Sequence, residues 1–318
     1  MSNQTPPPDD PVSREAELPE PSAAARGTAR RSRVRHLPPV SVVPTLCTLG
    51  NLVAGFAAMH YSLKDPNTLL IVHWTPLEVA AILIFVGMLF DAIDGSIARL
   101  VQVQSDLGAQ IDSLADMVTF GVAPAFLTLR LVSLETADGG LIIGPGADNV
   151  LGKIIWAAAA VYVCCAAMRL ARFNLEITTN DRARTKQFHG LPTPGAAGAL
   201  AGLIALHQHL LVTKFGDHVP AAFVRGAALG IPVIMLICGI VMVSNISYVH
   251  VTNRFVRGRR SFAYAARLIV PLALLVWFLE ETLAVAFTGY ALSGPARLIV
   301  ARFRRRRSSE PKHPSDPS

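Results

Sequence analysis

The chain has 318 residues, of which 52% are apolar and only 16% charged, and its mean hydropathy is +0.43. That balance excludes an ordinary soluble domain and predicts a protein with several membrane spans. The net charge of +7 is concentrated in two tails and in alternate loops, not in a stripe interleaved with aromatics. It therefore excludes a nucleic-acid surface and reads as topology information and attraction to anionic membrane lipids.

Residues 1–40 are rich in Pro, Ser, Arg and acid and contain no hydrophobic run, so a disordered basic cytosolic tail without a cleavable signal is expected there. Apolar windows of roughly 20 residues then predict spans near Val42–Leu63, Leu77–Ala98, Gly108–Leu131, Leu151–Arg169, Pro194–Val212 and Ala221–Ser244. The stretch from Ser261 to Val300 is long enough for two more short spans if Glu280 and Glu281 mark a turn. This reading gives one transmembrane domain over residues 41–300 and a disordered basic C-terminal tail over 301–318.

Charge orients the spans. Arg26, Arg30, Arg31, Arg33 and Arg35 place the N-terminal tail in the cytosol, and Arg99, the Arg172–Lys186 loop and the Arg254–Arg260 loop follow it there. Arg302 and Arg304 to Arg307 place the C-terminal tail on the same side, and two inside tails require an even number of spans, so eight is preferred to seven. Cys47, Cys164, Cys165 and Cys238 lie in apolar stretches with no CxxC pair and read as buried small hydrophobes. His189, His207 and His209 share no spacing with the acidic residues described next and read as structural.

The segment DAIDGSIARLVQVQSDLGAQIDSLAD carries Asp91, Asp94, Gly95, Ala98 and Arg99 at the end of one predicted span, then Gly108, Asp112 and Asp116 at the start of the next. Asp91, Asp94, Gly95 and Ala98 fall on one broad helical face, and Gly108, Asp112 and Asp116 follow one another at one-turn intervals. Two such helices can present four carboxylates to one cavity. Carboxylates beside lipid are costly to ionise unless cations neutralise them. Oxygen donors without sulfur or imidazole select Mg²⁺, Mn²⁺ or Ca²⁺, which commonly bridge carboxylates to phosphate oxygens. Helix capping or a solvated loop would account for one or two aspartates but not for four at this spacing.

The pattern D-x2-D-G-x2-A-R-x8-G-x3-D-x3-D resembles the complete signature of the CDP-alcohol phosphotransferase family. The resemblance implies an all-α integral membrane bundle with a six-helix core, here followed by about two further C-terminal spans. It also implies a homodimer with a cytosolic site that binds two divalent cations, Mg²⁺ or Mn²⁺, and a CDP-linked substrate. By position, Asp91, Asp94 and Asp112 resemble the metal ligands, and Asp116 resembles the general base and a further metal contact. Gly95 and Ala98 would make room for cytidine, Arg99 would hold the nucleotide or diphosphate, and Gly108 would permit close helix contact. The residue types alone do not show which carboxylate takes which role.

The flanking stretches PTLCTLGNLVAGF, SLADMVTFGVAPAF, RLARFN, FHGLPTPGAAGA, MVSNISY and YALSGP resemble the membrane-bound phosphatidylserine synthases from about Pro44 to Pro295. Thr45 and Ser247 depart from that pattern, where relatives carry Asn and Arg. The implied substrates are CDP-diacylglycerol and L-serine. Serine offers a carboxylate, so Arg169 and Arg172 are candidate contacts, with Asn174 beside them; the two arginines equally suit lipid headgroups at an inner interface. Thr48 and Asn51 either face the nucleotide or metal site or hydrogen-bond within the bundle. GLPTPG reads as a turn into a span. A different acceptor, such as glycerol 3-phosphate or an inositol phosphate, and a cation transporter that uses the aspartates as an ion path remain as alternatives.

Overall fold

A computed structural model describes residues 42–66, 68, 74–101, 106–136, 141–178, 190–215, 218–246, 248 and 277–308. These form helices α1 (Val42–Ser62), α2 (Pro76–Val101), α3 (Asp106–Asp116), α4 (Ala123–Glu135), α5 (Val150–Thr178), α6 (Thr193–His207), α7 (Ala221–Val243) and α8 (Leu279–Ser308). A π-helical segment, Met117–Val122, joins α3 to α4 without a break, and a second, Gln208–Lys214, extends α6. No strand occurs among the described residues. Six of the helical segments are long and apolar enough to cross a membrane, so the chain is an integral membrane protein built as an all-helical bundle.

Helices α1 and α2 run antiparallel: Thr48 meets Asp94, Gly50 faces Phe90, and Ala54 faces Gly87. Helix α6 is buried along nearly its whole length because its sequence, TPGAAGALAGLIALH, is mostly Gly and Ala, which lets neighbours approach from several sides. Gly195, Gly198 and Gly202 take Tyr290, Phe287 and Ala284 in turn, so α8 runs antiparallel along it. Helix α5 packs along α7, where Gly239 lies against the Tyr162 backbone, and Tyr162 donates its hydroxyl to the Phe120 carbonyl at 2.9 Å. Phe120, Leu127, Leu131, Leu200 and Ile204 fill the centre of the bundle.

The six predicted spans between Val42 and Ser244 are found, with differences at their ends. Helix α5 continues from the expected end at Arg169 to Thr178, so Arg172 and Asn174 are helical. The third span is not a uniform helix, because the wide π turn shifts its register between the aspartates and the buried face of α4. Glu280 and Glu281 do lie at a boundary, in the first turn of α8. That helix runs on through Arg302 and the following arginines to Ser308, into the segment assigned to the C-terminal tail. The span expected to begin at Ser261, the N-terminal tail, the 182–186 and 254–260 basic positions and His189 lie outside the described residues.

GLPTPG leads into a span as expected, with Gly190 to Pro192 in the turn and α6 starting at Thr193. Gly190 has φ of +90°, its amide donates to the Ile246 carbonyl at 2.8 Å, and a Cβ there would meet the Met242 carbonyl. Only glycine adopts that backbone without strain. All four cysteines are free; Cys165 and Cys238 are buried as expected, whereas Cys47 is half-buried and Cys164 is exposed, on the outer face of α5.

Candidate active site

The two aspartate pairs converge because small residues let three helices meet. A Cβ on Gly55 of α1 would lie 2.8 Å from the Thr119 Cα, and one on Gly87 of α2 would lie 2.6 Å from Thr119 Cγ2 and 2.8 Å from Asn51 Oδ1. Neither position has space for a side chain, so the third span sits directly on α1 and α2. Thr119 fixes the contact by donating its hydroxyl to the Asn51 carbonyl at 2.9 Å.

At that junction Asp91, Asp112 and Asp116 each offer a carboxylate oxygen, and the three oxygens lie within 4.8 Å of one another. Asp94 is buried beside them and accepts a hydrogen bond from the Thr48 hydroxyl at 2.9 Å. Asn51, fully buried, donates from Nδ2 to Asp116 Oδ1 at 3.0 Å. Thr48 and Asn51 are thus part of the acidic cluster and not merely contacts within the bundle. Among the described residues no Lys or Arg forms an ion pair with any of the four aspartates.

The cluster suits a divalent cation. Asp112 Oδ1 is buried and accepts no hydrogen bond, which strands an acceptor at the centre of the group. Two unit charges at this separation repel by roughly 3 kcal/mol at an effective dielectric near 20, so three ionised carboxylates need a counter-charge. A donor set of oxygens alone suits a hard ion of the Mg²⁺, Mn²⁺ or Ca²⁺ type.

Gly95 is half-buried, and a Cβ added there would meet no atom of the described residues within 4 Å. Gly108 is half-buried one turn before Asp112. Ala98 and Arg99 are in the last turns of α2, and their side chains lie outside the described residues.

The three residues expected at an acceptor pocket are placed differently from one another. Asn174 reaches α3, where its Nδ2 donates to Ser113 Oγ at 2.9 Å, next to Asp112 in sequence. Arg169 donates from Nη1 to Thr193 Oγ1 at 2.7 Å, which ties α5 to the start of α6. Arg172 is exposed on the same helix. Sequence reasoning missed Ser113, Thr119 and Thr193. Ser113 had the signal of adjacency to Asp112, whereas the other two become visible only through packing.

Residues 41–238 match the CDP-alcohol phosphatidyltransferase family. A Mycobacterium leprae protein named CDP-diacylglycerol–serine O-phosphatidyltransferase is 32% identical over 178 residues, covering 55% of this chain and 51% of its own. Proteins with the same name from Bacillus subtilis (30% over 173 residues, 54% of this chain and 81% of theirs) and Helicobacter pylori (30% over 210 residues, 66% and 73%) are similar as well. The chain spans about half the length of the mycobacterial relatives it matches. The matched stretch takes in all four aspartates and the helices that carry them, and this chain belongs to the CDP-alcohol phosphatidyltransferase family.

Proposed function

We propose that this chain transfers the phosphatidyl group of CDP-diacylglycerol to L-serine and releases CMP. The observation that carries the reading is the convergence of Asp91, Asp112 and Asp116, with Asp94 alongside, at one end of the bundle. The names of its relatives support the choice of donor and acceptor.

In this reading Asp91, Asp94, Asp112 and Asp116 hold Mg²⁺ or Mn²⁺. A cation held there would supply charge neutralisation for the diphosphate and the leaving CMP. Thr48 and Asn51 orient Asp94 and Asp116 through the hydrogen bonds described above, which lowers the reorganisation needed during reaction. Asn51 occupies Oδ1 of Asp116, leaving Oδ2 to take the serine hydroxyl proton. The serine oxygen then forms a bond to the phosphorus that bears diacylglycerol, the phosphoanhydride bond breaks, and its electron pair leaves with CMP. The cytidine is received beside Gly95, with Ala98, Arg99 and Gly108 around it. Arg169, Arg172 and Asn174 at the end of α5 bind the serine carboxylate and amino group. The acyl chains stay in the bilayer, and the protein acts as a homodimer with its site and both tails in the cytosol.

The test is product formation by the purified protein in detergent with CDP-diacylglycerol, Mg²⁺ or Mn²⁺ and labelled serine. Phosphatidylserine and CMP in equal amounts, lost in Asp116→Asn, are expected. CMP release only with glycerol 3-phosphate or an inositol phosphate would overturn the acceptor, and no CMP with any acceptor, or metal flux in vesicles without CMP, would overturn the reaction.

A further inference from the structure

A second group of metal-ligating side chains lies at the other end of the bundle. Glu78 in the first turn of α2, His209 in the π-helical extension of α6 and Glu280 in the first turn of α8 each bring one ligand atom to within 4.8 Å of the others. Glu78 has no exposed surface, Glu280 is 6% exposed, and the His209 side chain is 28% exposed. Glu78 and Asp91 are separated by 91 − 78 = 13 residues of α2, or roughly 20 Å of helix axis, so this group is separate from the aspartate site.

Ordinary helix capping explains only half of Glu78. The sequence Thr75-Pro-Leu-Glu78 forms a capping box: the Thr75 amide donates to Glu78 Oε2 at 3.2 Å, and the Glu78 amide donates to Thr75 Oγ1 at 3.2 Å. Oε2 is thereby satisfied. Oε1 is buried and accepts no hydrogen bond, and His209 Nδ1 lies 3.4 Å from it. Glu280 adds a second buried carboxylate to the same place. Among the described residues no Lys or Arg pairs with either glutamate, so with both glutamates ionised even a protonated His209 leaves a negative balance. His207 is occupied elsewhere, with Nε2 at 3.1 Å from the Val224 carbonyl and Nδ1 at 4.0 Å from Glu135.

We propose that Glu78, His209 and Glu280 form a second metal site, which binds a divalent transition-metal ion of the Zn²⁺ type and ties α8 to α2 and α6. The imidazole distinguishes this donor set from the all-oxygen aspartate cluster and selects against Mg²⁺ and Ca²⁺. The separation of Glu78 Oε1 from His209 Nδ1, 3.4 Å, equals the edge of a tetrahedron with metal–ligand bonds of about 2.1 Å. Three protein ligands leave a fourth position for water, which the partial exposure of His209 permits. The proposal does not depend on which reaction the aspartates perform.

The experiment uses the full chain in detergent, stripped with a chelator and returned to millimolar Mg²⁺ to fill the aspartate cluster. Zn²⁺ is then added, the protein is gel-filtered, and bound zinc is measured by elemental analysis. About one zinc per chain is expected in the wild type and in Asp112→Asn, falling to less than about a tenth in His209→Gln and Glu280→Gln, with a zinc-dependent rise in Tm only in the first two. Co²⁺ on the wild-type protein should give the strong visible absorption of a tetrahedral ion, a readout that needs no variant to fold. Zinc retained by His209→Gln, zinc lost only in Asp112→Asn, or a six-coordinate Co²⁺ spectrum would each overturn the proposal.

Discussion

Asp112→Asn removes one charge from a group whose oxygens lie within 4.8 Å of those of Asp91 and Asp116. Asp112 takes part in two of the three close pairs, so the gross repulsion relieved is on the order of 6 kcal/mol at an effective dielectric near 20. Partial exposure of these residues and salt screening reduce the net effect to about 1–2 kcal/mol. The sign depends on the cation. With a chelator present the variant should be the more stable protein, by roughly 2–6 °C in Tm. With saturating Mg²⁺ or Mn²⁺ the wild type gains binding free energy that the variant has largely lost, and the order should reverse. Thermal unfolding of both proteins in detergent, with and without the ion, reads this directly, and CMP release measured in parallel should fall more than about 100-fold. A variant destabilised equally in both conditions would show that Asp112 acts as a structural acceptor and that the electrostatic account of the cluster is wrong.

Thr48→Val keeps the shape of a residue only 5% exposed but removes its 2.9 Å hydrogen bond to Asp94. A bond to a charged group is worth about 1.5–3 kcal/mol, so the Mg²⁺ or Mn²⁺ concentration for half-maximal activity should rise roughly tenfold or more; an unchanged value would count against Asp94 as a ligand held by Thr48. Arg169→Lys replaces a guanidinium bonded to Thr193 by a point charge, and the KM for serine should rise about tenfold with that for CDP-diacylglycerol unaltered. Equal changes in both constants would assign Arg169 to holding α5 against α6. Gly190→Ala forces a side chain onto a φ of +90° and against the Met242 carbonyl. It should cost about 1–2 kcal/mol or more, and a Tm equal to wild type would mean that the turn is not held as described.

The apolar windows and the acidic motif made most of this protein legible before folding was considered. A membrane span must satisfy its backbone internally, so a run of roughly 20 apolar residues dictates a helix with little help from its surroundings. The spacing of Asp91 with Asp94, and of Asp112 with Asp116, dictates a shared helix face for the same local reason. Helix ends were less legible, because α5 and α8 continue into polar sequence where hydropathy no longer marks them. Contacts between helices were not legible at all. Thr48 and Asn51 could equally have turned inward to the bundle, and only the close approach at Gly55, Gly87 and Thr119 brings them to the aspartates. His209 shares no spacing with the aspartate motif, yet packing sets it beside Glu78 and Glu280 from two other helices. Local periodicity is written in neighbouring residues, whereas a site assembled from three helices depends on which faces meet, and only the tertiary structure decides that.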